Sequence, residues 1–211
     1  MTRVISREDE TGRIGAEYYK LAQALDLDVT RFDMDIALSA EDESFPGAVI
    51  VKQAYAVICP FTTRPQKHWV EGRWAQLAEQ IQTQLGLSVI MLGGPADQAV
   101  AENIVAANDG IMNMAGKASL TQSAAMIKHA SLLVGVDTGL THMGIAFNVP
   151  TITLFGSTCP YTNTTRDNAY VLYHKLDCSP CRRNPTCGGA FTCMKLITVE
   201  EVMQHIREFG V

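Results

Sequence analysis

Asp137, Thr138 and Gly139 follow directly on the apolar run Leu132–Val136, and His142 stands three residues past the glycine. Two chemistries use this arrangement. In aspartic proteases, two Asp-Thr-Gly aspartates share a proton across two lobes or two chains of an all-β scaffold. A strand that runs through a glycine turn into a helix is instead how phosphate sites are built, because the helix N-terminus offers unpaired N–H groups and a favourable dipole. This chain has one Asp-Thr-Gly, set in a pattern of alternating strands and helices. That context favours the phosphate site, the all-β scaffold of the protease being absent. On this reading Gly139 lets the backbone approach an anion, and the N–H groups of Thr138, Gly139 and Leu140 point at it. His142, one helical turn on from Thr138, donates to the same anion, while Asp137 orients the loop or accepts from a sugar hydroxyl.

Two more polar clusters end apolar runs. "TTRPQKHW" follows the run that closes at Phe61, and "GGPADQ" follows the run that closes at Leu92. Each has a plain alternative: Thr62 and Thr63 as helix caps, Gly93 and Gly94 as a simple turn, His142 as a satisfied histidine on an inner helix face. Their joint placement at strand ends is what favours a common site.

These clusters need a frame. From residue 54 onward the chain alternates: "AYAVICPF", "LSVIMLGG", "GIMNMAG", "SLLVGV" and "VPTITLFG" read as strands, separated by helical stretches such as "WVEGRWAQLAEQIQTQLG" and "SLTQSAAMIKHA". Continuous Val/Ile/Leu strands are buried on both faces, and strands separated by helices pair in parallel. The expected fold is therefore α/β, a single Rossmann-like doubly wound parallel sheet, whose carboxyl strand ends form the ligand crevice. Ser119 is the expected N-cap of one helix, and Thr198 opens a closing helix, "TVEEVMQHIREF". Residues 1–50 read as a leader packed on a domain of residues 51–211. In it "RIGAEYYKLAQALDL" is an expected helix, "DMDIALS" an alternating edge strand and "SAEDESFPG" a loop.

Composition limits the partners. A net charge of −5 and a pI near 5.5 argue against nucleic acid as a partner, since backbone binding needs clustered Lys and Arg. The amino-terminal stretch lacks the apolar core of a secretory signal, and no apolar run is long enough for a membrane span, so the cytoplasm is the expected location.

Taken together, "FTTRPQKHW", "LGGPAD" and "VDTGLTHMGIAFNVPTITLFGST" resemble the carboxy-terminal, nucleotide-sugar-binding half of the lipopolysaccharide heptosyltransferases, glycosyltransferase family 9 with the GT-B fold. The likeness covers most of residues 54–209 and is greatest to the heptosyltransferase I branch. It implies that Thr62 and Thr63 hydrogen-bond a diphosphate, that Lys67 neutralises it, and that Thr138, Gly139 and His142 complete the site. Asp137 would touch the sugar, and Asp97 the ribose. The implied donor is ADP-heptose and the implied acceptor a lipid A–Kdo type inner core, met at the cytoplasmic side of the inner membrane, with peripheral association left open. No cofactor is implied, and Lys67 with the helix N-termini would do for transfer what a divalent ion does elsewhere.

The resemblance also implies an amino-terminal acceptor domain that carries the general base, an aspartate. Residues 1–50 are too few for it. The expectation is a fragment, or a donor-binding half, that binds and does not turn over by itself. A rival of another class is a non-catalytic nucleotide-sugar or polyphosphate binding module.

Cys178, Cys181, Cys187 and Cys193 fall at C-x2-C-x5-C-x5-C. That spacing is compatible with a structural zinc or a cluster and equally with four reduced thiols in a surface loop. The resemblance makes the loop a family trait without naming a ligand. Arg182, Arg183 and Lys195 give it positive charge that suits a phosphorylated acceptor, a membrane surface, or simply solvent.

Overall fold

The computed structural model describes residues 4–5, 12–30, 33–50, 53–158, 161, 163–164, 166–181 and 184–210. Two helices come first, α1 (Ala16–Ala24) and α2 (Ala40–Val49), followed by β1 (Tyr55–Cys59) and α3 (Glu71–Leu85). Next are β2 (Ser88–Met91), α4 (Gln98–Ala107), β3 (Ile111–Asn113), α5 (Leu120–Lys128), β4 (Leu132–Val136), α6 (Gly139–Ala146) and β5 (Thr151–Phe155). The chain then gives β6 (Ala169–Tyr173), α7 (Thr192–Leu196) and α8 (Val199–Glu208).

All six strands pair in parallel in the order β3-β2-β1-β4-β5-β6. β1, β4 and β5 are buried at every position, as strands covered on both faces must be. Period-two alternation splits β1 between two cores. Ala56 and Ile58 join Trp74, Leu77 and Ile81 of α3, Ile104 of α4 and Met203 and Ile206 of α8. Tyr55, Val57 and Cys59 face Met126 and Ile127 of α5 on the other side. Trp69 and Trp74 meet edge to face with centroids 4.9 Å apart. Trp69 Nε1 donates to Ile197 O at 2.9 Å, which ties the start of α3 to the segment before α8.

The helix ends follow their expected chemistry. The Ser119 hydroxyl accepts from Gln122 N at 3.1 Å while Gln122 Oε1 accepts from Ser119 N at 2.9 Å, a complete capping box. The Thr198 hydroxyl caps α8 by accepting from Glu201 N at 3.1 Å.

The amino-terminal region departs from expectation. "DMDIALS" forms no strand: residues 33–39 are irregular, and the sheet's edges are β3 and β6. The "SAEDESFPG" stretch is mostly helical, as α2, although Pro46 lies within it. Ser39 caps this helix by accepting from Asp42 N at 3.1 Å, and three acidic residues occupy the first turn. α2 then lies on α5, with Thr121 donating to Asp42 at 2.8 Å and Lys128 pairing with Glu43. Tertiary packing overrides the proline, whose cost to an isolated helix would be about 3 kcal/mol. The cysteine-rich stretch also contains a short helix, α7, where the pattern suggests only loop.

Candidate functional site

The strand order reverses between β1 and β4, which are neighbours although α3, β2, α4, β3 and α5 separate them in the chain. Ligands of open parallel sheets bind at such a reversal, outside the carboxyl strand ends. The polypeptide leaving β1 there runs through Thr62 and Thr63 to a 3-10 turn, Pro65–Lys67, with proline at its first position. The polypeptide leaving β4 gives Asp137 at once, then Thr138 in extended conformation, then α6 beginning at Gly139.

The two loops are joined by an ion pair. Lys67 Nζ donates to Asp137 Oδ2 at 2.6 Å, with Asp137 O at 3.4 Å. On the other carboxylate oxygen, His142 Nε2 lies 3.1 Å from Oδ1. Two residues from the loop after β5 complete the cluster. Thr158 Oγ1 donates to Asp137 Oδ2 at 2.7 Å, and the Tyr161 hydroxyl is 2.9 Å from His142 Nδ1.

No side chain caps α6; the N–H groups of Thr141 and His142 donate to Thr138 O, which leaves those of Gly139 and Leu140 to face a ligand. A Cβ built at Gly139 would meet nothing within 4 Å. The arrangement sets the Lys67 ammonium beside a helix N-terminus, the chemistry an anion requires, while both ring nitrogens of His142 are taken up by Asp137 and Tyr161. Among the described residues the Thr62 and Thr63 hydroxyls make no hydrogen bond; Thr62 O accepts from His68 Nε2 at 2.8 Å. Asp97 follows β2 on the same side of the sheet but does not join the cluster. Its Oδ2 accepts from Gly94 N at 2.7 Å, closing its own turn. The Gly93 turn packs on the loop after β1, where a Cβ would come within 2.4 Å of the Phe61 ring.

Lys67, Asp137 and His142 are thus joined from two loops, with Thr138 and Gly139 between the last two and Thr62 and Thr63 in the loop that leads to Lys67, while Asp97 stands apart in its own turn. Thr158 and Tyr161 are not among the site residues that the sequence motifs single out. The signal available was "FGST" at the end of β5, a glycine followed by two hydroxyls beyond a third strand.

The Asp137 side chain is only 13% exposed. Burial, the largest single influence, pushes its carboxyl up. The hydrogen bonds from His142, Lys67 and Thr158, with the charge of Lys67, together outweigh burial and hold the group well below the usual carboxylate range. A depressed folded-state value contributes stability that is complete above the unfolded value, near ~3.9, and is lost as pH falls through the folded one. Acid unfolding below about pH 4 should therefore be steeper in the wild-type chain than in Asp137→Asn. Thermal midpoints measured against pH check this, and parallel profiles would count against the pairing.

Cys178, Cys181 and Cys187 are half-buried thiols and Cys193 is buried. Among the described residues no group of three His, Cys, Asp or Glu side chains is placed to hold a metal. Arg182 and Arg183 lie outside the described residues. Among those described, no helix is long and apolar enough to cross a membrane. A groove of about 400 Å³ lined by Pro46, Ile50, Tyr55 and His129 opens at the amino end of β1, away from the cluster.

A parallel sheet of this order, with its reversal between β1 and β4, defines a Rossmann-like doubly wound type of α/β domain. The chain belongs to glycosyltransferase family 9, the heptosyltransferases, whose model matches residues 5–190. It is 35% identical over 171 residues to lipopolysaccharide heptosyltransferase 1 of Pseudomonas aeruginosa, covering 79% of this chain and 46% of that protein. It is 31% identical over 151 residues to lipooligosaccharide heptosyltransferase 2 of Haemophilus influenzae, covering 68% and 43%. The chain spans about half the length of these relatives. Among solved structures, the family 9 glycosyl transferase from Veillonella parvula superposes with a TM-score of 0.77 at 21% identity over 98% of this chain and 62% of that one. The E. coli heptosyltransferase WaaC with ADP-2-deoxy-2-fluoro heptose gives 0.66 at 24% identity over 98% and 58%. These likenesses carry the GT-B fold assignment.

Proposed function

We propose that these 211 residues form the donor-binding half of an enzyme that transfers heptose from ADP-heptose to the inner core of lipopolysaccharide at the cytoplasmic side of the inner membrane. The observation that carries the reading is the meeting of Lys67 with the uncapped start of α6 where the strand order reverses, beside open space at Gly139. A diphosphate there receives the Lys67 charge and the N–H groups of α6, with the Thr62 and Thr63 hydroxyls as further donors. These groups stabilise the charge that grows on the departing ADP, the part of sugar transfer a donor domain supplies. Asp97 lies in the loop after β2, and its carboxylate retains acceptor capacity for a ribose hydroxyl beyond the Gly94 N–H. Asp137 already receives three donors, which leaves about one of its lone-pair positions, on Oδ1, for a sugar hydroxyl. The solved relative that holds an ADP-heptose analogue supports this choice of donor.

Titration calorimetry with ADP tests the reading. The wild-type chain should bind, and Lys67→Ala should lose about 1.5–3 kcal/mol, the value of a hydrogen bond to a charged group. Equal heats from the two proteins with ADP at saturating concentration would remove Lys67 from the site.

A further inference from the structure

The loop after β5 contributes two side chains to the cluster that the Asp-Thr-Gly motif does not contain. We propose that Thr158 and Tyr161 are positioning residues, which with His142 keep the Asp137 carboxylate in place when Lys67 turns from it to a bound diphosphate. The inference rests on the donor-site reading above and assigns what that reading leaves open, namely what happens to Asp137 once its cation is shared.

An ionised carboxylate offers about four lone-pair positions. Lys67 and Thr158 both use Oδ2, and His142 uses Oδ1. Of the three donors, Lys67 is the mobile one, an ammonium on a flexible four-carbon stem. Its side chain is 21% exposed, against 13% for Asp137. If an anion drew Lys67 away and nothing else bonded Oδ2, a largely buried charged oxygen would be left without a partner, at a desolvation cost that opposes ligand binding. Thr158 removes that cost, because its short side chain stays on Oδ2.

Tyr161 acts one step further out. Its ring meets Phe155 edge to face at 5.2 Å and lies 5.6 Å from the His142 ring, so packing aims the hydroxyl at Nδ1. Burial pushes the phenol up, so it keeps its proton and can donate it to Nδ1 whenever that nitrogen carries none. The ring proton then resides on Nε2, facing Asp137 Oδ1. The loop is itself braced by the cysteine-rich segment. Ser179 Oγ donates to Gly156 O, and the Cys193 and Met194 side chains fill the space beside Gly156, where a Cβ would stand 2.9 Å from the Cys193 sulfur.

Two measurements on the whole chain test this. Without ligand, nitrogen NMR of the histidine rings, with His142 assigned by its loss in His142→Gln, should show the Nε2–H form in the wild type and a mixture of forms in Tyr161→Phe. With ADP, calorimetry should show Thr158→Val binding roughly 3- to 10-fold more weakly than wild type. Thr158→Ser, which restores the hydroxyl, should recover the affinity, and Tyr161→Phe, Thr158→Val and Thr158→Ser should each melt close to the wild type. Unchanged His142 resonances in Tyr161→Phe would overturn the role of Tyr161. Equal ADP affinity in wild type and Thr158→Val, or equal weakening in Thr158→Val and Thr158→Ser, would overturn that of Thr158. Failure of the wild type itself to bind ADP would sink the donor-site reading and with it the role of Thr158, leaving the ligand-free resonances to decide Tyr161.

Discussion

Gly139→Val should abolish ADP binding and leave the ligand-free thermal midpoint nearly unchanged. Gly139 opens α6 with ordinary backbone angles, and a Cβ there points into open space, so the free chain accepts a larger side chain without a clash. Replacing glycine at a position whose conformation the new residue can adopt also reduces the freedom of the unfolded chain, which stabilises slightly. The same open space is where a phosphate oxygen must come within about 2.9 Å of the N–H groups of the first turn, and a branched side chain fills it. Gly135 provides the contrast. A Cβ there would stand 2.1 Å from Thr141 Oγ1 and 2.9 Å from Cys59 Cβ, so Gly135→Val should unfold the protein rather than block a ligand. Calorimetry and thermal unfolding of both variants separate the two roles. A melting loss in Gly139→Val like that in Gly135→Val, with binding kept per folded molecule, would show that the glycine serves the turn alone.

The second large effect concerns turnover. Release of ADP that depends on a lipid A–Kdo type acceptor should be undetectable with the 211 residues alone. It should appear when the amino-terminal half of a family member is supplied. The reason lies in the site. Transfer needs a base beside the acceptor hydroxyl, held in line with the sugar, and losing both positioning and proton removal costs many orders of magnitude. Two carboxylates at this rim are already engaged, Asp137 by three donors and Asp97 by Gly94 N. Asp137 is also held strongly ionised, which makes it a poor proton acceptor. Acceptor-dependent release by the purified chain would mean that a residue of this chain, or of a second copy, serves as base.

The strands from β1 to β5 are legible in the sequence because uninterrupted apolar runs bounded by glycine and proline have few other ways to be buried. The caps at Ser119 and Thr198 are legible for the same local reason, a hydroxyl placed to receive the N–H three residues on. The region before β1 is not. "DMDIALS" alternates as a strand would, yet a strand needs a partner, and residues 33–39 pair with neither edge strand, β3 or β6. α2 forms across Pro46 because α5 supplies the surface it packs on, and that surface lies some 80 residues away, at Thr121 and Lys128.

What the sequence by itself determined is the kind of site: a phosphate-suited turn at Gly139, a lysine loop, and a parallel sheet to bring them to one rim. Those features are set by short-range patterns, strand periodicity, turn chemistry and helix starts, each contained within a dozen or so residues. Only the tertiary structure decided how the charges pair. Lys67 and Asp137 are 70 residues apart, and their contact exists because β1 and β4 are neighbours at the reversal of strand order. Thr158 and Tyr161 reach Asp137 and His142 because β5 lies beside β4, so a hydroxyl at the end of "FGST" and a phenol beyond it are partners of a buried carboxylate and its histidine. A buried charge must be met by whatever donors the fold brings within reach, and strand order, which no local pattern records, decides which donors those are.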